Sequence, residues 1–377
     1  MIIGVPKEIK VHEYRVGMTP ASVKELTSAG HTVYIEQSAG EGIACNDQEY
    51  IEAGASILKT AEEVFATAEM IVKVKEPLAV ERALLRPDQL LFTYLHLAPD
   101  MAQTEDLIKS KAVCIAYETV TNANGGLPLL APMSEVAGRM SIQAGAACLE
   151  KSNGGVGLLL GGVAGVAPAK VVIIGGGVVG CNAAQMAIGL GADTTIVDNN
   201  IDTLRKINSQ FSSSIKTAYS NKYNLESLVL DADLVIGGVL IPGAAAPKLV
   251  SAEMIKKMRP GSAVVDVAID QGGCFETSKA TSHSEPTYIV DDVVHYCVAN
   301  MPGAVARTSA FALNNATLPY ILRLANLGYK KALLADAHLK NGLNVIHGKV
   351  TNASVSKSLN IPFVCPDEAL ATPYVAA

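Results

Sequence analysis

KVVIIGGGVVGCNAAQMAIGLGADTTIVD, from Lys170 to Asp198, decides the fold. A β-branched apolar run, Val171 to Ile174, stops at three glycines. A small-residue helical pattern follows, and a second apolar run, Thr195-Ile196-Val197, ends in an acid. That order predicts strand, tight turn, helix, strand. Gly175, Gly177 and Gly180 supply G-x-G-x-x-G. The first permits the turn, the second lets backbone approach a pyrophosphate, and the third lets helix and strand pack closely. The helix N-terminus offers N–H groups and partial positive charge to phosphates. Asp198, about twenty residues on, is placed to accept both hydroxyls of an adenosine ribose. The stretch predicts a dinucleotide site rather than a purely structural βαβ turn.

Val171 to Ala192 contains no charged residue, which also fits a membrane span. Clustered glycines, the interruptions Asn182 and Gln185, and the lack of a basic flank favour a buried parallel strand and helix instead. The 377 residues are enough for two domains. Ala, Val, Ile, Leu and Gly dominate a 49% hydrophobic composition with no Trp, as parallel α/β layers require. A net charge of −6 without a basic cluster argues against nucleic acid. The seven cysteines are scattered and never in C-x-x-C, so they read as buried reduced thiols of a cytoplasmic protein. The start, MIIGVPKEIK, is too short and too charged for a signal peptide. His12-Glu13-Tyr14-Arg15 lacks the second His of a zinc helix, so no metal is expected.

Working outward, the N-terminal part alternates strands and helices. Strands are expected at Ile2–Val5, Thr32–Ile35, Met70–Lys75, Leu90–Leu97 and Val113–Tyr117. Helices are expected from Thr19-Pro20 to Leu26, with Thr19 as N-cap, then at 46–53, 60–66 and 105–111. An Asn-, Gly- and Pro-rich stretch, 122–132, marks a boundary. A helix from Ser134 to about Glu150 carries a small-residue face (Ala137, Met140, Ala144, Cys148) suited to close packing on another helix. Later strands read as Leu234–Leu240 and Ala263–Ile269, ending in the turns Ile241-Pro242-Gly243 and Asp270-Gln271-Gly272-Gly273. From Thr308 the pattern is helical and is expected to return to the first domain. The fold class is α/β with two doubly wound Rossmann-like domains. The nucleotide domain, 129–307, is inserted between two segments of a substrate domain, 1–128 and 308–377, and the two crossings form a hinge.

Ligands in open α/β sheets bind at the carboxyl ends of strands. Four polar residues are expected there: Arg15 in the loop after the first strand, and Lys75, His96 and Asp270 at strand ends. Arg can grip a carboxylate with two hydrogen bonds, Lys adds charge at an oxygen, His moves protons near neutral pH, and Asp orients water or an ammonium. The set suits a small oxo or amino acid. Each residue also has a plain reading: a surface arginine, a solvated basic edge formed by Lys73 and Lys75, a satisfied strand-end histidine, a turn-capping aspartate. Asp266, inside an apolar run, reads as a buried structural carboxylate.

GVPKEIKVHEYRVGMTPASVKELTSAG near the start is similar to the first signature of the alanine dehydrogenase/pyridine nucleotide transhydrogenase family. The run from Ser134 to Asp198 is similar to its second, and DVAIDQGG and VANMPGAVARTSAFALNNATLPY extend the resemblance over essentially the whole chain. The resemblance to the alanine dehydrogenases implies NAD as cofactor and reversible oxidative deamination of L-alanine to pyruvate and ammonia. It implies that Arg15 and Lys75 hold the substrate, that His96 is the acid/base, and that Asp270 handles water or ammonia. Ser134, Asp198, Ser220, Asn300 and Met301 match nucleotide-contacting positions. It further implies a homohexamer with no membrane partner. His12, Gly17-Met18 and Ala164 depart from the family's usual residues. The alternative within the family is the nucleotide-binding subunit of a proton-translocating transhydrogenase, which would bind NAD but no amino acid.

Overall fold

A computed structural model describes residues 1–239 and 246–371. The described chain divides into two compact units, Met1–Pro132 together with the chain from Val305, and Met133–Ala304. Along the chain the strands are β1 (Ile2–Val5), β2 (Thr32–Glu36), β3 (Ser56–Leu58), β4 (Met70–Val72), β5 (Leu90–Thr93), β6 (Val113–Ala116), β7 (Lys170–Ile174), β8 (Asp193–Asp198), β9 (Lys216–Tyr219), β10 (Leu234–Gly237), β11 (Ala263–Asp266), β12 (Thr287–Val290), β13 (Val293–Tyr296), β14 (Leu343–Ile346) and β15 (Lys349–Val350).

In the first unit the sheet order is β15-β14-β6-β5-β4-β1-β2-β3. The six strands from β1 to β6 run parallel, and β14 and β15 add antiparallel pairs at one edge. β1 lies between β2 and β4, so the chain reverses its direction of winding there and opens a crevice at the strands' carboxyl ends. Helices seal the sheet faces through Val64, Phe65, Leu107 and Val355, packed on Ile71, Leu91 and Cys114. Local signals start several helices. Asn46 forms a capping box with Glu49, Thr60 accepts the N–H of Glu63, and Asp100 that of Gln103. Pro20 opens Pro20–Ser28, but the Thr19 hydroxyl makes no cap and donates instead to Asn314 Oδ1 at 3.0 Å, tying the C-terminal helix Ala306–Leu327 to the first loop.

The second unit repeats the winding with order β12-β13-β11-β10-β7-β8-β9, parallel except for β12. β7 is buried on both faces. Val171 and Ile173 meet Ile142, Ala183, Ala184 and Ala187, whereas Val172 and Ile174 meet Val229, Ile255 and Phe275. This is why the run from Val171 carries no charge: it is a sheet interior with a helix against it. None of the described helices is long and apolar enough to cross a membrane. The helix Ala131–Cys148 starts before Ser134, and a Cβ on its Gly138, a residue outside the expected small-residue face, would lie 2.2 Å from Val179 O, so it packs close on Val178–Gly189.

Several strands are shorter than the apolar runs that announce them. β4 stops at Val72, β5 at Thr93 and β11 at Asp266, so Lys75, His96 and Asp270 stand in the loops beyond rather than at strand ends. β10 stops at Gly237, and the expected Ile241-Pro242-Gly243 turn lies outside the described residues. The short β3 and the one-turn helix Ala79–Arg82 were not foreseen. All seven cysteines are free thiols, five of them buried, with Cys181 half-buried and Cys365 exposed.

Candidate active site

In the first unit, the loops after β1, β4, β5 and β6 leave the sheet at its carboxyl edge and carry the charged residues. Arg15 is 2% exposed. Its Nε donates to Glu13 Oε1 at 2.6 Å and its Nη2 to Glu13 Oε2 at 2.5 Å, a bidentate fork. Burial opposes the guanidinium charge, but Glu13 outweighs it and the pKa stays above the ordinary arginine value. Arg15 is thus no surface arginine.

Lys73 is fully buried, with Nζ 3.1 Å from Glu8 Oε2 and 2.6 Å from Glu81 Oε1. This overturns the solvated-edge reading for Lys73. Burial works against its charge, yet the two carboxylates hold its pKa above the usual lysine value. Burial pushes the Glu8 carboxyl up, with Lys73 opposing. The other oxygen of Glu8 accepts the N–H of Val74 at 2.7 Å and of Lys75 at 3.3 Å. Those amides are where the β4 ladder would continue, and a carboxylate from the β1 loop takes them instead, so the strand ends early. Lys75 is half-buried. Burial of Glu76 opposes its charge, but Lys75 and Lys10 prevail and hold its carboxyl below the ordinary value.

His96 is exposed, with φ of +49°, a left-handed conformation uncommon for a residue with a Cβ. Its N–H donates to Glu118 Oε1 at 2.7 Å, and that oxygen also accepts the N–H of Leu95 at 3.2 Å. Its ring stacks on Tyr94 at 5.8 Å between centroids, and the buried Tyr94 hydroxyl donates to Leu129 O at 2.5 Å. Arg15, Lys75 and His96 therefore all sit on loops at the carboxyl edge of β1, β4 and β5. His12, which departs from the family pattern, has Nδ1 3.0 Å from the Tyr14 hydroxyl.

In the second unit the switch lies between β7 and β10. Gly175 has φ of +100°, and a Cβ there would lie 2.9 Å from Gly238 O. A Cβ on Gly180 would lie 1.8 Å from Gly175 O, so only glycine fits. A Cβ on Gly177 would meet no protein atom within 4 Å, which leaves open space where a phosphate can approach. Gly177 is the N-cap of Val178–Gly189 and offers no capping side chain. Asp198, ending β8, accepts the N–H of Gly176 at 2.7 Å and of Asn200 at 2.8 Å, and its carbonyl accepts that of Ser220 at 2.9 Å. The glycine turn, Asp198 and Ser220 are thus joined in one group, and these residues fit a dinucleotide.

The remaining candidates belong to other elements of this unit. Ser134 lies half-buried in the first turn of Ala131–Cys148. Asn300 has φ of +63°, and its carbonyl is 3.1 Å from His283 Nε2. Met301 is buried at the start of the turn Met301–Val305. Asp270 is exposed within the turn Ile269–Gln271. Asp266 is fully buried and accepts from Ser278 Oγ at 2.5 Å and from the N–H groups of Ala268, Cys274 and Phe275. It is the structural carboxylate that its apolar surroundings suggest.

Two doubly wound units, one carrying a glycine-lined helix start with an acid at the end of the next strand, define a Rossmann-type nucleotide-binding oxidoreductase. The chain belongs to the alanine dehydrogenase/PNT family, whose N-terminal domain model matches residues 4–137 and whose C-terminal domain model matches residues 141–353. That membership carries a nicotinamide nucleotide as cofactor. It is 57% identical to an alanine dehydrogenase of Methanococcus maripaludis over 98% of this chain and 100% of that one. It is 56% identical to an alanine dehydrogenase of Halomonas elongata over 97% and 98%. A solved structure titled L-alanine dehydrogenase superposes with a TM-score of 0.93 at 53% identity, covering 96% of this chain and 99% of that one. A transhydrogenase from Sinorhizobium meliloti gives a TM-score of 0.81 at 25% identity, covering 94% and 100%, and is a distant relative by comparison.

Proposed function

We propose that the protein is an NAD-dependent alanine dehydrogenase. L-alanine, water and NAD become pyruvate, ammonium and NADH with release of a proton, and the reverse direction is reductive amination. The observation that supports this most is identity above one half, over nearly the full length, to proteins named alanine dehydrogenase. In this reading residues 1–128 and 308–377 form the substrate domain and 129–307 the nucleotide domain.

When bound, the nicotinamide accepts or returns a hydride. The chain's residues do the rest. Arg15, whose Nε edge is held by Glu13, directs its guanidinium to the substrate carboxylate. Lys75 adds positive charge at the substrate oxygens. His96 moves the proton on and off oxygen and nitrogen as the carbinolamine forms and collapses. Asp270 orients water or ammonium. Gly175, Gly177 and Gly180 let the start of Val178–Gly189 hold the pyrophosphate, Asp198 takes the adenosine ribose, and Ser134, Ser220, Asn300 and Met301 complete the nucleotide contacts. By family resemblance the working form is a cytoplasmic homohexamer.

The test is NADH oxidation by the purified protein with pyruvate and ammonium. Oxidation that requires both co-substrates is expected. Tight NADH binding with no oxidation in their presence would overturn the proposal and favour the nucleotide-binding subunit of a transhydrogenase.

A further inference from the structure

Three glutamates in the first unit share one arrangement. Glu13 Oε1 accepts the peptide N–H of Arg15 at 3.1 Å. Glu8 Oε1 accepts that of Lys75 at 3.3 Å. Glu118 Oε1 accepts that of His96 at 2.7 Å. All three substrate residues proposed for this unit have their peptide N–H held in this way, as do Ile2 by Glu69 and Lys7 by Glu36 elsewhere in the unit. Two of the glutamates hold the preceding or neighbouring amide as well: Glu8 takes Val74 and Glu118 takes Leu95. Two are also paired with a buried cation, Glu13 with Arg15 and Glu8 with Lys73.

The physical need is plain. Lys75 and His96 stand past the ends of β4 and β5, where the sheet ladder no longer fixes the backbone. His96 in addition holds a left-handed φ that a residue with a Cβ keeps only when its surroundings impose it. A carboxylate is the strongest side-chain acceptor for a peptide N–H, and one oxygen can serve two successive amides, setting the direction of the peptide plane between them.

We propose that Glu8, Glu13 and Glu118 are positioning residues, each bracing the backbone of one substrate residue at the carboxyl edge of the sheet. Glu118 acts on His96, Glu8 on Lys75 and Glu13 on Arg15. The inference rests on the alanine dehydrogenase reading for the roles of the braced side chains, but not for the braces themselves.

Glu118 gives the cleanest test, because it is only half-buried and, unlike Glu8 and Glu13, forms no salt bridge with a cation among the described residues. Glu118→Ala removes the acceptor. Glu118→Gln removes the charge but keeps a carbonyl oxygen that can accept both amides. The full-length protein is assayed for reductive amination, NADH affinity and amide hydrogen exchange around residue 96. Glu118→Ala is expected to lower kcat about tenfold or more, with KM for pyruvate and NADH affinity within about twofold of wild type. Glu118→Gln is expected to restore kcat to within about threefold. A merely structural role would move stability, KM and nucleotide binding together and would show no such rescue. Unchanged kcat in Glu118→Ala would overturn the proposal, as would a loss spread equally over all three constants. Should Glu118→Ala not fold, Glu118→Asp, one methylene too short to reach both amides, must show the same kcat loss. Wild-type protein without turnover would instead sink the functional reading. The brace is then decided by exchange alone: faster exchange at Leu95 and His96 in Glu118→Ala supports it, and wild-type protection overturns it.

Discussion

Gly177 and Gly180 sit three residues apart in one motif, yet the structure assigns their lack of a side chain to different causes. A Cβ on Gly180 would be 1.8 Å from Gly175 O, about half the ~3.5 Å at which non-bonded heavy atoms pack. Gly175 O is backbone of the tight turn after β7 and Gly180 lies within the helix Val178–Gly189, so neither can move cheaply. Gly180→Ala should therefore destabilise the unliganded protein at the upper end of the overpacking range, about 3 kcal/mol or more. A Cβ on Gly177 would touch nothing, and its φ of −76° suits any residue. Gly177→Ala should leave the unliganded protein unchanged or more stable by about 0.4–1 kcal/mol, because the unfolded chain loses freedom. The new methyl would instead stand where the pyrophosphate approaches the helix start. Losing one charge-assisted hydrogen bond there costs about 1.5–3 kcal/mol, so the NADH dissociation constant should rise at least about tenfold. Urea unfolding without nucleotide and fluorescence titration with NADH measure the two effects separately. Equal destabilisation by both substitutions would refute the packing argument. Undiminished NADH binding by Gly177→Ala would refute the placement of the pyrophosphate.

Arg15→Lys keeps a positive charge beside buried Glu13 but loses the fork, so steady-state kinetics should show a pyruvate KM raised at least about tenfold, with kcat much less affected. His96→Ala should instead lower kcat by roughly 10²–10⁴ with NADH affinity unchanged; near-normal turnover would move the acid/base role to Asp270. NAD should be preferred to NADP by about tenfold, the effect of about 1.4 kcal/mol, because Asp198 repels a 2′-phosphate and the nearby Arg205 is already paired with Asp202 at 2.8 Å; equal catalytic efficiency with NADPH would refute this. Burial holds the His295 imidazole below its ordinary pKa. The unfolded chain therefore takes up the proton first, and this contribution to stability, full above about pH 6.5, is lost as pH falls below it. His295→Gln should flatten the fall in urea midpoint between about pH 7.5 and 5.5, and parallel curves would contradict the assignment.

What the sequence made legible is what depends on near neighbours. The glycine spacing, the acid closing β8, the asparagine and threonine caps and the charge-free sheet interior all follow from residues within a turn or a strand of one another. Strand ends were less legible, because an apolar run shows where a strand can run but not where its partners stop. Lys73-Val74-Lys75 continues the alternation of β4. The amide of Val74, however, bonds to Glu8, 66 residues earlier in the chain, and no local pattern announces that. His96 was placed at a strand end for the same reason, while Glu118, 22 residues later, holds its backbone outside the sheet.

The buried charges were the least legible part, and their physics explains both the oversight and their presence. Lysine, arginine and glutamate are ordinarily exposed, so Lys73 reads as part of a solvated edge and Glu8, Glu13 and Glu81 draw no reading of their own. In the structure each is matched by an opposite charge at 3.1 Å or closer, and burial works against the charges of Glu8 and Lys73. Such pairs are weak sources of stability, and apolar residues of similar volume often replace them without loss. A requirement for stability alone therefore does not account for three carboxylates gathered at one sheet edge. Their second contacts do. Glu8 and Glu13 turn an oxygen toward a peptide group of the loops carrying Arg15, Lys75 or the lysine's neighbour Val74, while Glu81 pairs with Lys73 and accepts the N–H of Leu78 at the start of its own helix. A signal in the sequence did exist: acids spaced closely after a parallel strand, at the one place in a doubly wound sheet where loops diverge and leave room for a ligand.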